Sequence, residues 1–293
     1  LGDFVIHHRL CCKRIICLLM IDIISVKESS LGARLKLPAE GIDFKKVQSA
    51  IIEIKNPSFL LEHLKMLFRQ LPCADEDNLQ SKLTPQIEFI FGPPGTGKTT
   101  YLAQKKILPL MQENLKILVL TPTNKVADVL VKKMMPETDW LIRFGVTGDN
   151  EIEAAGLLKE KTFKIKQLKK CVLVTTMARF LYDGFSTCKL KDYKWDLILF
   201  DEASMIMLAQ MAYVLYQQKN CRFIVAGDPF QIQPVVLADA WKEENIYSLV
   251  ELNNFQSPKT VPHKFPITQL TTQYRSIPPV GNLFSQFSYF GIL

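Results

Sequence analysis

Ile87-Glu88-Phe89-Ile90-Phe91-Gly92-Pro93-Pro94-Gly95-Thr96-Gly97-Lys98-Thr99-Thr100 is the stretch on which the reading of the fold turns. Ile87–Phe91 is short, apolar and rich in aromatic and β-branched residues, which reads as a strand buried on both faces. Gly92 to Thr99 then fits the spacing G-x-x-x-x-G-K-[ST] without a gap. The residue types have a physical purpose. Glycines let backbone N–H groups close around phosphate oxygens where a side chain would collide. Lys98 offers a compact positive charge, and Thr99 a hydroxyl of the kind that holds a divalent cation. Thr100 lies in the first turn of a helix whose N-terminal dipole faces the same anions. A glycine-rich turn holding nothing is the plain alternative, and a lysine-threonine pair in register after a strand argues against it.

Outward from this loop the same strand pattern recurs at Ile117–Leu120, Val172–Thr175, Leu197–Phe200 and Phe223–Ala226, with longer helical stretches between. Strands this apolar belong to a parallel sheet covered by helices, so the class is α/β. Leu197–Phe200 ends in the adjacent carboxylates Asp201 and Glu202. At the carboxyl edge of a parallel sheet both acids sit where ligands bind. Asp201 then partners a magnesium ion opposite Thr99, and Glu202 is suited to activate an attacking water. The cofactors read from these two sites are ATP and Mg2+.

Ahead of the loop the signal is weaker. Phe59–Leu71 carries apolar residues at helical spacing and predicts an amphipathic helix, broken by Pro72 and the acidic run Ala74–Asp77. Residues 1–83 are therefore expected to form a mostly helical N-terminal extension, and residues 84–293 the main domain. Within that domain 136–170 is expected as a helical insertion with a basic surface, since Lys159–Lys170 holds six lysines against one glutamate.

Composition sets the outer bounds. With 293 residues, 48% hydrophobic and 22% charged, the chain can bury a sizeable core and is not disordered wholesale. A net charge of +7 leans towards an anionic partner. Seven cysteines at 11, 12, 17, 73, 171, 188 and 221 are too sparse for a disulfide scaffold. His7, His8, Cys11, Cys12 and Cys17 lack the spacing of a zinc site, so thiols on an apolar segment are the default reading. The apolar run Ile15–Val26 is too short to cross a bilayer, and no membrane partner is expected. Localisation is read as cytoplasmic, or nuclear in a eukaryote. The chain opens on Leu1 and stops at Leu293 without a terminating pattern, so it is read as a fragment.

Further motifs separate the P-loop classes. Gly227-Asp228-Pro229-Phe230-Gln231-Ile232-Gln233-Pro234 follows the strand at Phe223, and Leu270-Thr271-Thr272-Gln273-Tyr274-Arg275-Ser276 comes later. Leu120-Thr121-Pro122-Thr123-Asn124-Lys125 and Val174-Thr175-Thr176-Met177 each end a strand between the two nucleotide motifs. Taken in order, these residues resemble the first RecA-like domain of a superfamily 1 helicase, close to the branch of the nonsense-mediated-decay and Dna-two-type enzymes, over roughly residues 85 to 293. The resemblance implies a RecA-like P-loop fold and an ATP-driven motor on single-stranded DNA or RNA. It implies that Gln231 touches the γ-phosphate, that Arg275 adds positive charge there, and that Tyr274 stacks near the adenine. It implies that Pro122, Thr123 and Asn124, with Thr175 and Thr176, grip the sugar-phosphate backbone. Such groups can hold phosphates without reading bases.

The chain departs from the family in having only Gln80 as a poorly framed candidate for the adenine-reading glutamine. A second RecA-like domain is expected as a partner and is missing from this sequence. The fragment is accordingly expected to bind nucleotide, hydrolyse it slowly and unwind nothing. Two rivals share part of the pattern. A P-loop ATPase that remodels protein has no reason to carry GDPFQIQP followed by QYRS. A degenerate nucleic-acid-binding module has no reason to keep Lys98, Thr99, Asp201, Glu202, Gln231 and Arg275 intact.

Overall fold

The computed structural model describes residues 4–8, 19–27, 30–35, 50–54, 58–71, 86–137, 140–159, 163–182, 190–234, 236, 241, 244–252, 265–289 and 291. Two compact units divide the chain, Leu1–Leu67 and Phe68–Leu293.

The first unit contains an antiparallel sheet of β1 (Phe4–His8), β2 (Leu19–Lys27), β3 (Ser30–Leu35) and β4 (Ala50–Ile54), in the order β3-β2-β1-β4. The expectation of a mostly helical extension is corrected here. A helix does occupy Ser58–Arg69, where the amphipathic pattern lies, but strands make up the rest of what is described. Isoleucine and valine dominate β2; they lose side-chain freedom in a helix and pack well on a pleat. A register shift between Ile23 and Ser25 breaks the alternation that would have announced the strand.

The second unit is organised by an eight-stranded sheet of order β12-β5-β11-β10-β6-β9-β7-β8. The strands are β5 (Ile87–Phe91), β6 (Lys116–Thr121), β7 (Leu141–Phe144), β8 (Leu158–Lys159), β9 (Cys171–Thr176), β10 (Leu197–Phe200), β11 (Arg222–Gly227) and β12 (Ile267–Gln269). Every neighbouring pair is parallel. All four residues of β10 and all six of β9 are buried, as strands covered on both faces must be. Helices close one face: Ala127, Leu130, Val131 and Met134 pack in one cluster with Val119, Val172, Val174 and Leu199.

Two local features matter for the site. The helix that follows the phosphate loop begins at Lys98–Tyr101 and widens to a π-helical turn over Leu102–Ile107 before Leu108–Leu110. Pro109 has no N–H for the Lys105 carbonyl, and its ring would press on that oxygen; the wider turn relieves the clash. The second feature is a correction. Residues 136–170, expected as a helical insertion, contribute β7 and β8 to the sheet, and among the described residues helix is confined to short turns, chiefly Asn150–Ala154 and Ile165–Gln167. Leu141-Ile142-Arg143-Phe144 is a strand of the same apolar type as its neighbours, masked in the sequence by the arginine at its centre. Among the described residues no helix is long and apolar enough to cross a membrane.

Candidate functional site

β5, β11 and β10 lie side by side, so the loops that leave their carboxyl ends meet. The Gly92 N–H donates to the Gly227 carbonyl at 3.3 Å, joining the loop after β5 to the loop after β11. Thr96 closes the phosphate loop on itself, its hydroxyl donating to the Pro93 carbonyl at 2.8 Å. Lys98 is buried, and its Nζ donates to the Gly92 carbonyl at 2.8 Å while standing 3.9 Å from Glu202 Oε1. The lysine thus stands between the phosphate loop and the acidic pair.

Gly95 shows why the loop needs its glycines. Its φ is +85°, and a Cβ there would lie 2.0 Å from Gln273 Oε1 and 2.8 Å from Arg275 Cβ. The QYR segment is therefore seated directly on the phosphate loop. Gln273 Nε2 donates to the Pro94 carbonyl at 2.7 Å, and the Tyr274 N–H donates to the Gly95 carbonyl at 2.9 Å. Gln273 Oε1 in turn accepts from the Arg275 N–H at 2.8 Å. Tyr274 is 76% exposed, with its ring edge above Gly97.

The acidic pair is held with some strain. Glu202 takes φ 50° and ψ 49°, a left-handed conformation that costs a non-glycine residue about 1–3 kcal/mol. Its N–H donates to Asp201 Oδ1 at 3.0 Å, and the Asp201 N–H donates to the Leu120 carbonyl of β6. Asp201 is fully buried, and burial first, then the charge of Glu202, push its carboxyl up to about 7, with Lys98 partly offsetting. Among the described residues Asp201 Oδ2 and Glu202 Oε2 are buried and find no hydrogen-bond partner. Two orphaned carboxylate oxygens beside Lys98 suit a hard divalent cation, which takes oxygen ligands. The residues fit magnesium.

Asp228 belongs to the same cluster, although the sequence reading gave it no role. It is fully buried and its carboxyl is raised by burial, with Lys98 and Glu202 both close enough to act on it electrostatically. The Tyr289 hydroxyl donates to Asp228 Oδ2, and the Phe230 N–H to Oδ1. Gln231 is fixed beside this cluster through its backbone, its N–H donating to the Asp228 carbonyl at 3.1 Å. Tyr247 was missed as well. Its hydroxyl is buried, finds no partner among the described residues, and lies 2.7 Å from where a Cβ on Gly227 would stand. Asp228 and Gln273 sit inside motifs that were legible. Tyr247 and Tyr289 carry no sequence signal.

Gly227→Ala is expected to destabilise the fold by about 1–3 kcal/mol through overpacking. The new methyl would meet the Tyr247 hydroxyl and, at 2.9 Å, the backbone N of Ala203. Calorimetric unfolding checks this, and an unchanged midpoint contradicts the packing.

The other half of the carboxyl edge carries the remaining candidates. Thr123 is exposed and caps the helix Asn124–Met134, its hydroxyl accepting from the Val126 N–H at 3.3 Å. Asn124 is exposed, and Pro122 is half-buried. Thr176 is nearly buried and accepts from the Arg179 N–H at 3.2 Å. Thr175 is a correction. Its side chain is fully buried and its hydroxyl donates to the Phe144 carbonyl at 2.9 Å, so it ties strands together and offers nothing to a phosphate. Gln80 and the cysteine and histidine side chains before Lys13 lie outside the described residues.

Comparison with known proteins identifies a family for the chain. The profile of a family described as "AAA domain" matches residues 79–255. The DNA replication ATP-dependent helicase/nuclease DNA2 of Saccharomyces cerevisiae is 29% identical over 199 residues, covering 64% of this chain and 12% of that protein. A "Probable helicase with zinc finger domain" of Mus musculus is 29% identical over 227 residues, covering 70% of this chain and 11% of that protein. The "Probable RNA helicase armi" of Drosophila melanogaster is 25% identical over 249 residues, covering 68% of this chain and 20% of that protein. The chain thus spans a fifth or less of the length of these relatives. Membership of the matched family carries the use of a nucleotide. The chain belongs to the AAA domain family, in the RecA-like form that superfamily 1 helicases carry.

Proposed function

We propose that the chain is the ATP-binding motor domain of an ATP-dependent helicase, hydrolysing ATP to move along single-stranded DNA or RNA. One observation supports this above the rest: both sets of loops leave the same edge of one sheet. The phosphate loop and Asp201–Glu202 follow β5 and β10, Gly227–Asp228 close β11, Pro122–Asn124 follow β6, and Thr176 ends β9. β10 and β6 are neighbours, and the Asp201 N–H is bonded to the Leu120 carbonyl across that boundary. A change at the nucleotide therefore has a short, rigid route to the strand-gripping loops. The relatives include a DNA replication helicase/nuclease and a probable RNA helicase.

In this reading Lys98 leaves the Gly92 carbonyl for the β- and γ-phosphates. Thr99 and Asp201 hold magnesium, which when bound neutralises charge on the phosphate oxygens. Glu202 accepts a proton from the attacking water. Gln231 and Arg275 contact the terminal phosphoryl group, the planar guanidinium matching paired oxygens, and Tyr274 lies against the adenine. Pro122, Thr123, Asn124 and Thr176 hold backbone phosphates, so binding is sequence-tolerant and salt-sensitive. A second RecA-like domain closing on the Tyr274–Arg275 face is the expected partner, in cytoplasm or nucleus.

The test is phosphate release from ATP with and without single-stranded oligodeoxythymidine or oligouridine. The reading expects either strand to accelerate release and duplex to do less. No stimulation by any nucleic acid, with turnover intact, would favour an ATPase acting on protein.

A further inference from the structure

Among the described residues Arg143 is the largest fully buried side chain, and the nucleotide chemistry does not use it. Burial of a guanidinium costs several kcal/mol unless it is paired and hydrogen-bonded, and arginine cannot escape by losing its proton. Here the donors are nearly all committed. Nε donates to Asp128 Oδ1 at 2.6 Å and Nη1 to the Phe144 carbonyl at 2.8 Å. Nη2 donates to Asn124 Oδ1 at 2.9 Å and to the Val146 carbonyl at 2.7 Å. The Phe144 carbonyl also accepts from Thr175 at the end of β9. Arg143 therefore ties the segment leaving β6 to the end of β7, and through the shared Phe144 carbonyl reaches β9, at the edge proposed above for the nucleic acid.

The bond to Asn124 has a further consequence. An exposed amide can present either its oxygen or its N–H donors. With Oδ1 accepting from Arg143, the N–H donors are the atoms left to meet an anion. A buried ion pair is seldom the most stabilising way to fill such a space, so its value here lies in geometry.

Resting on the proposed function, we propose that Arg143 is a positioning residue for nucleic-acid binding: it sets the polarity of the Asn124 amide and locks three strand ends into one floor, without touching a phosphate itself. Lysine cannot replace it, because a point charge with a single nitrogen cannot span Asn124, Asp128 and two carbonyls.

The experiment measures fluorescence anisotropy of labelled oligodeoxythymidine and oligouridine over a salt series, beside binding of a fluorescent ATP analogue. The wild-type chain, Arg143→Gln and Arg143→Lys are compared. Both variants are expected to lose about tenfold in oligonucleotide affinity. The salt slope should stay unchanged, whereas removing a direct phosphate contact would lower it by about one. ATP-analogue affinity should stay at the wild-type value. Unaltered oligonucleotide binding by Arg143→Gln overturns the proposal, as does full rescue by Arg143→Lys or a reduced salt slope. Parallel loss of ATP-analogue binding in both variants also overturns it, by assigning Arg143 to the fold at large. Failure of the wild-type chain to bind either oligonucleotide would instead sink the nucleic-acid reading on which the proposal stands.

Discussion

Lys98→Ala is expected to weaken ATP binding and to cut turnover by roughly 10²–10³-fold, the scale of removing one charge-stabilising group from a preorganised site. The argument rests on where the ammonium stands. It is 6% exposed, bonded to the carbonyl at the mouth of its own loop and 3.9 Å from Glu202. No other lysine or arginine among the described residues is paired to the acidic cluster. The substitution also leaves Glu202 and the buried carboxylates of Asp201 and Asp228 without their nearest cation. A titration with a fluorescent ATP analogue and a phosphate-release assay check both halves. Turnover equal to wild type would mean that the loop holds no triphosphate, and would support the degenerate binding module instead.

Glu202→Gln should separate binding from chemistry. Glutamine keeps the shape and can keep the backbone bond to Asp201, but it cannot take a proton. Turnover is expected to fall by roughly 10²–10⁴-fold, the range for a lost general base, with analogue affinity within a few-fold of wild type. The left-handed backbone at this position aims the side chain back towards Lys98 rather than along the strand axis. A loss of affinity matching the loss of turnover would make Glu202 a binding group and return the search for the base to Asp228.

Legibility in the sequence followed how local the signal is. The phosphate loop and β10 with Asp201–Glu202 could be read because a strand, a turn and a helix start lie within a dozen or so residues, each with its own required chemistry. The meeting of Gly95 with Gln273, and of Gly227 with Tyr247, could not, because those contacts join segments far apart in the chain. Thr175 was misread for a related reason: a threonine at a strand end looks available, and only the pairing of β9 with β6 and β7 buries it. β7 was hidden by a charge whose partners, Asp128 and Asn124, sit on the helix before it. The strands of the first unit were hidden by an irregular register and a mixed composition.

The most direct measurement is calorimetric titration of the chain with a non-hydrolysable ATP analogue, with and without magnesium, for the wild type and for Asp201→Asn. A shared cradle of Lys98, Thr99 and Asp201 predicts that magnesium tightens binding to the wild type and does nothing for the variant. Binding that ignores magnesium in the wild type, or an Asp201→Asn chain that responds to it fully, would contradict the account.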